Sequence, residues 1–300
     1  MKLLASALLG CMISLAACNS GSSTSSNTDS AAAGDTTTSA GSTDGFKLGV
    51  QMWTFRLFTF TEALDKVDSA GIKYIEAFWG QKLGGDMKGE FGAGMDADTK
   101  AKLKKHLQDK GIQIVAMGVI VPDGKAEWIK AFDLAKEFGL SYITSEPIKT
   151  QWDLVDSLAG AYGIKVAIHD HPNNAKEHHM HPYGAPDSVL EAAQGHPNIG
   201  ACADIGHWAR NGIDPVEALK KLEGHVFGVH LKDIVKFGDD RAADTVVSKG
   251  AIDLPAVFAE LKRQNFNGML SIEHESNWEH SLPDVIFTKQ YFDEQVAKLK

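Results

Sequence analysis

Eight short apolar runs recur along the chain: Leu48–Trp53, Tyr74–Phe78, Ile114–Ile120, Tyr142–Ser145, Lys165–Ile168, Gly200–Ala203, Val226–Val229 and Met269–Ile272. Each ends in polar residues and is followed by a stretch of helical period, and successive starts lie on the order of 25–40 residues apart, the length of a strand with its return helix. Thr61–Gly71 and Thr99–Gly111 are amphipathic, and both run into Gly-Ile, a helix stop that leads into a strand. Strands that are apolar on both faces and separated by helices require a parallel sheet covered all round. Eight such units predict an α/β fold of one domain, a closed (β/α)8, or TIM, barrel.

Ahead of the barrel the pattern changes. Met1 and Lys2 precede an apolar run from Leu3 to Ala17, which is too short for a membrane span and stops at Leu15-Ala16-Ala17-Cys18. This reads as an export signal over residues 1–17 ending in a bacterial lipobox, with cleavage before Cys18 and lipidation of its thiol. The expectation is an exported protein tethered to the cell envelope, touching membrane through the anchor alone. Residues 18–45 are nearly all Ser, Thr, Gly, Ala, Asn and Asp, too polar to offset the entropy of ordering, and predict a flexible linker. Residues 46–300 remain for the barrel.

Of Cys11, Cys18 and Cys202, the last alone stays in the folded part, so a disulfide framework is excluded. A net charge of -9 without a Lys/Arg run gives no surface for a phosphate backbone, and no nucleic-acid partner is expected.

The chemistry gathers at the predicted strand ends. Strand four ends in Glu146, strand five in His169-Asp170-His171, strand six in Asp204-Ile205-Gly206-His207-Trp208, strand seven in His230-Leu231-Lys232-Asp233, and strand eight in Glu273-His274-Glu275. Side chains alternate along a strand, so His169 shares a face with His171, His230 with Lys232, and Glu273 with Glu275. Several carboxylates buried together at a barrel mouth repel one another, and a bound cation relieves them. Mixed imidazole and carboxylate donors suit zinc, manganese, cobalt or iron better than calcium. Singly, each residue has a plainer reading: Glu146 as a helix cap, His230 as a core histidine, Glu273 in an ion pair. Trp53, Phe78, Trp79 and Trp208 are placed either to stack on a sugar ring or to pack. The loop segment His178-His179-Met180-His181 reads as a lid or surface tract, with a second metal motif as its alternative. Lys232 is either an electrophile toward a substrate oxygen or the partner of Glu275 or Asp233.

Four stretches resemble the xylose isomerase-like barrels, which include sugar phosphate isomerases and epimerases, tagatose 3-epimerase, inosose dehydratase and endonuclease IV. They are Gly49-Val50-Gln51-Met52-Trp53-Thr54, Asp204-Ile205-Gly206-His207, Val229-His230-Leu231-Lys232-Asp233 and Ser271-Ile272-Glu273-His274-Glu275. The resemblance implies one divalent metal on Asp204, His230 and Glu273, and a substrate-hydroxyl contact for His207. The epimerases' strand-five glutamate, which binds metal and moves a proton, is matched here by His169, a departure from their symmetrical two-glutamate mechanism. His169 is then expected among the metal ligands, and Glu146 completes the metal shell or serves as the base. Endonuclease IV fits poorly, since strand three ends Val119-Ile120-Val121-Pro122 without histidine.

The expectation for function is metal-dependent isomerisation or epimerisation of a sugar through an enediolate, with Glu146, His171, Lys232 and Glu273 as catalytic candidates and Trp53, Trp79, His207 and Trp208 as substrate contacts. Two alternatives stand beside it: a lyase or dehydratase acting on a keto-sugar or 3-keto-glycoside, favoured by export and by the strand-five departure, and a non-catalytic sugar-capturing surface lipoprotein.

Overall fold

The computed structural model describes residues 45–173 and 180–299. The expected signal segment, Cys18, nearly all of the expected linker and the pair His178-His179 fall outside these residues. Eight parallel strands close into a barrel: β1 Lys47–Gln51, β2 Tyr74–Phe78, β3 Gln113–Ile120, β4 Tyr142–Ser145, β5 Lys165–His169, β6 Ile199–Asp204, β7 Val226–Leu231 and β8 Met269–Ile272. Each pairs with the next in sequence, and β8 closes on β1 with Val50 opposite Ile272.

The helices that return the chain are built by local rules. The first, α1 (Phe60–Ser69), opens on a capping box in which Thr59 and Glu62 each satisfy the other's backbone N–H. Following it, α2 (Ala97–Lys110), α3 (Lys125–Phe138) and α4 (Trp152–Tyr162) end at Gly111, Gly139 and Gly163, all left-handed with φ of 59°, 71° and 69°. Just beyond each glycine, the N–H of Ile112, Leu140 or Ile164 bonds back to the carbonyl of Leu107, Ala135 or Ala159. That bond consumes a carbonyl the helix end would leave bare, and it buries the apolar residue that starts the next strand. Further on come α5 (Pro186–Ala193), α6 (Ile205–Arg210), α7 (Pro215–Lys221), α8 (Leu254–Arg263) and α9 (Leu282–Lys298).

The main core lies between helices and sheet, while Tyr142, Ala167, Cys202 and Met269 belong to a smaller separate cluster. A Cβ added at Gly228 on β7 would meet Tyr142 Oη of β4 at 2.5 Å. Because β4 and β7 are not neighbours in the sheet, the ring must cross the lumen, and it forms a floor under the polar strand ends. Two two-stranded ribbons outside the barrel, Lys82–Gly84 with Met87–Glu90 and Asp233–Ile234 with Asp244–Thr245, were not expected. Among the described residues no helix is long and apolar enough to cross a membrane.

Gly228→Ala is expected to overpack the lumen and lower stability by about 1–3 kcal/mol, read as a lower urea midpoint at unchanged slope. Adding Tyr142→Phe, which removes the atom struck, should recover part of that loss. An unchanged midpoint in Gly228→Ala would show that the lumen has room.

Candidate functional site

The ends of β5 to β8 bring His169, Asp204, His230 and Glu273 together, all buried, with one donor atom from each lying within 4.8 Å of the others. Strand register does part of this, since Asp204 stands opposite His230 and Cys202 opposite His169. His230 Nδ1 is 2.8 Å from Glu273 Oε2 and 3.7 Å from Asp204 Oδ2, and His169 Nε2 is 3.6 Å from Asp204 Oδ2.

What singles out these four is how their other atoms are used. Asp204 Oδ1 accepts the N–H groups of Gly206 and His207, capping α6 at 3.0 and 2.9 Å. His230 Nε2 faces Glu76 Oε2 at 3.0 Å, and Ser271 Oγ donates to the same oxygen. His169 Nδ1 faces Glu146 Oε1 at 3.4 Å. An imidazole that donates from one nitrogen has its lone pair on the other. The atoms left, His169 Nε2, Asp204 Oδ2, His230 Nδ1 and Glu273 Oε2, are buried and without hydrogen-bond partners. Leaving such atoms unsatisfied is costly. Two nitrogen and two oxygen donors converging on one point fit a divalent transition metal, and carboxylates behind ligand histidines are the usual means of orienting them.

Charge at the site is tightly opposed. Lys232 is fully buried, with Nζ 3.1 Å from Asp204 Oδ2, 3.2 Å from Glu273 Oε2 and 3.8 Å from Glu275 Oε1, the first two contacts lacking hydrogen-bond geometry. Its stem explains a glycine, because a Cβ on Gly206 would meet Lys232 Cγ at 2.6 Å. Burial alone would push Glu273 up, yet Lys232 and His230 hold its carboxyl down to about 2. Against burial as well, the charged Lys232 keeps Asp204 well below the usual range. Burial would lower His169, but the Asp204 and Glu146 carboxylates raise it to about 9, so a proton there answers the same negative charge that a cation would.

His207 is set differently. Arg210 Nη1 lies 2.9 Å from its Nδ1 and the Lys232 ammonium 3.3 Å from its Nε2, so both ring nitrogens face cationic donors. Burial foremost, then Lys232, outweighs Asp204 and holds this imidazole well below its ordinary pKa, hence neutral. Arg210 is itself held by the carbonyl of Ala242 and by Asp244, whose other oxygen accepts the N–H of Glu275.

A cavity of about 210 Å³ opens over this group, walled by Gln51, Trp53, Phe78, His171, His207 and Glu275, with His169 and Glu273 also facing it. Glu146 stands behind rather than among the four atoms: His171 Nδ1 lies 2.5 Å from its Oε1 and His181 Nε2 3.1 Å from its Oε2. Although burial opposes it, the bonds from His169, His171 and His181 hold this carboxyl far below its usual range. One expected substrate contact needs correction. Trp208 is fully buried in α6 and does not reach the cavity, because that face of the helix packs into the core. Trp79 lines a trough beside the cavity. Asp233 does not pair with Lys232 and takes the N–H groups of Ile234, Ser248, Gly250 and Ile252. Glu76, Arg210, Asp244 and the wall position of Glu275 were missed. Glu76 had a signal, as the one charged residue inside the apolar run Tyr74–Phe78.

The family described as xylose isomerase-like TIM barrel matches residues 64–291. An uncharacterised protein from Parabacteroides distasonis ATCC 8503 is 34% identical with a TM-score of 0.66, covering 83% of this chain and 99% of that one. Inosose dehydratase from Geobacillus kaustophilus is 28% identical over 174 residues, 50% of this chain and 54% of that protein, so the chain spans about half the length of the curated relatives it matches. The structure of an IOLI protein with a bound zinc atom shares the fold, at 19% identity and a TM-score of 0.67 over 85% of this chain and 99% of that one.

Purified protein is expected to hold about one equivalent of divalent transition metal, with Tm rising on addition of zinc, manganese or cobalt. His230→Ala should abolish both effects in protein shown folded by circular dichroism. Glu146→Gln should keep the site at about 10–100-fold weaker affinity, since its carboxylate orients His169. A wild type without metal or thermal gain, or complete loss of binding in Glu146→Gln, would contradict this arrangement.

Proposed function

The chain belongs to the xylose isomerase-like TIM barrel family, and from that premise we propose that it is a metal-dependent enzyme that removes the proton beside the carbonyl of a sugar-like polyol and expels a β-substituent. The observation that carries this reading is the set of four unpartnered donor atoms beneath a cavity of monosaccharide scale. The zinc named for the IOLI structure and the dehydration named for the curated relatives agree with it. His169, Asp204, His230 and Glu273 would hold the cation, whose part is Lewis acidity that makes the C–H beside a carbonyl acidic.

The chain's own groups supply the rest. With Glu273 committed to the four-atom group, Glu275 is the wall carboxylate placed to take the C–H proton. The Lys232 ammonium, 3.3 Å from Nε2 of His207 at the cavity wall, supplies positive charge near the oxygen on which negative charge develops. His171, its Nδ1 held by Glu146, gives a proton to the departing oxygen. The C–H electron pair becomes the new double bond, the C–O bond breaks with its pair on oxygen, and an unsaturated keto-sugar and an alcohol or water leave.

Base and acid are thus different groups, and His169 in place of a strand-five carboxylate supports elimination over symmetrical epimerisation. Isomerisation remains a second reading because Glu273 and Glu275 put two carboxylates at one cavity. Export and anchoring at Cys18 belong to the same proposal: Cys18→Ser should move the protein from the membrane to the soluble fraction with activity unchanged.

In heavy water, with a panel of ketoses and 3-keto-glycosides, Glu275→Gln should lose deuterium incorporation by about 10²–10⁴-fold. His171→Ala should keep incorporation while slowing release of poor leaving groups more than good ones. Equal loss of both processes in His171→Ala, with metal retained, would remove its acid role. Mass-conserving conversion of a free ketose would decide for isomerisation.

A further inference from the structure

We infer that the leaving group is apolar and is received by a trough beside the catalytic cavity, so that the substrate is a glycoside of an aromatic alcohol. This rests on the elimination reading and names its substrate class. The trough measures about 460 Å³ against about 210 Å³ for the cavity over the four donor atoms. The two meet at Val119, which lines both, and the consecutive residues Phe78 and Trp79 line one each. A single sugar ring occupies the smaller space and leaves the larger one to water. A substrate of two parts fills both.

The chemistry of the trough says what the second part is. Its wall is made by Trp79 and Ala93, from the connection between β2 and α2, and by residues 119–122 at the end of β3. Trp79 is fixed from its flank, since a Cβ on Gly92 would meet its ring at 3.2 Å. Val121 is 58% exposed, a large aliphatic side chain left in water at the trough. A second sugar would need partners for several hydroxyls, which few side chains here provide. Glu127 spends Oε2 on the N–H of Asp123 at 2.8 Å, and Lys130 is the other charged group of the wall. An aromatic ring needs only an indole face and aliphatic contacts, and the trough has these.

Unoxidised glucosides test this without turnover. Binding of phenyl β-D-glucoside, methyl β-D-glucoside and cellobiose to the metal-loaded protein is measured by calorimetry, and the metal content of the same sample is determined. The phenyl glucoside should bind about tenfold tighter than the methyl glucoside, and cellobiose no tighter than methyl. Val121→Asp, at an exposed position, and Ala93→Trp, which fills the trough, should each close the gap. Equal affinities, no binding by any of the three, tighter binding of cellobiose than of phenyl glucoside, or a gap that survives both substitutions would overturn the inference. A sample that shows the gap but holds no metal would instead sink the metal-dependent reading and leave the trough standing.

Discussion

Four buried donor atoms aimed at one point, none with a hydrogen-bond partner, constrain everything around them. Folding cannot leave such atoms without partners cheaply, and the Lys232 ammonium near Asp204 Oδ2 and Glu273 Oε2 offsets part of that cost. Glu76 engages the far nitrogen of His230, Glu146 that of His169, and the first turn of α6 takes the second oxygen of Asp204. Each partner comes from a different element, so the barrel must close before the site exists. The glycines follow from the same demand. Gly206 makes room for the stem of Lys232, and Gly228 makes room for Tyr142 below.

Much of this was legible in the chain because strand ends are where periodicity and chemistry coincide. Tyr74–Phe78, Tyr142–Ser145 and Met269–Ile272 run as the apolar pattern placed them, and His169, Asp204, His230 and Glu273 meet because each ends such a run. The first strand is shorter than its apolar run, since Met52–Phe55 turns into a 3-10 helix capped by Gln51 and carries Trp53 to the cavity wall. The ribbon at Lys82–Glu90 left no alternating signal because it is rich in glycine and lysine. Trp208 misled for a physical reason: neighbouring positions on a helix point in different directions, so standing next to His207 in sequence says nothing about reaching the cavity. The division of labour between Glu146 and Glu275 needed geometry, because sequence places both at strand ends and cannot say which faces the lumen.

The proposed chemistry depends on asymmetry. One rim carries Glu275 and the other an imidazole backed by Glu146, while His207 and the charged Lys232 stand between them. A proton taken at one place and delivered at another suits elimination. In the proposed elimination, the trough beside the cavity would receive the expelled fragment, linking the chemistry of the step to the identity of the substrate.

The central claim is that the four unpartnered atoms are a metal's donors, and X-ray absorption at the metal edge of the loaded protein tests it most directly. The account predicts two imidazole nitrogens with carboxylate oxygens and no sulfur, unchanged in Glu146→Gln apart from affinity. Sulfur in the coordination sphere would place the metal instead at the Glu76, Cys202 and His230 group deeper in the barrel. That result, or a third imidazole that disappears with His171 or His181, would contradict the account.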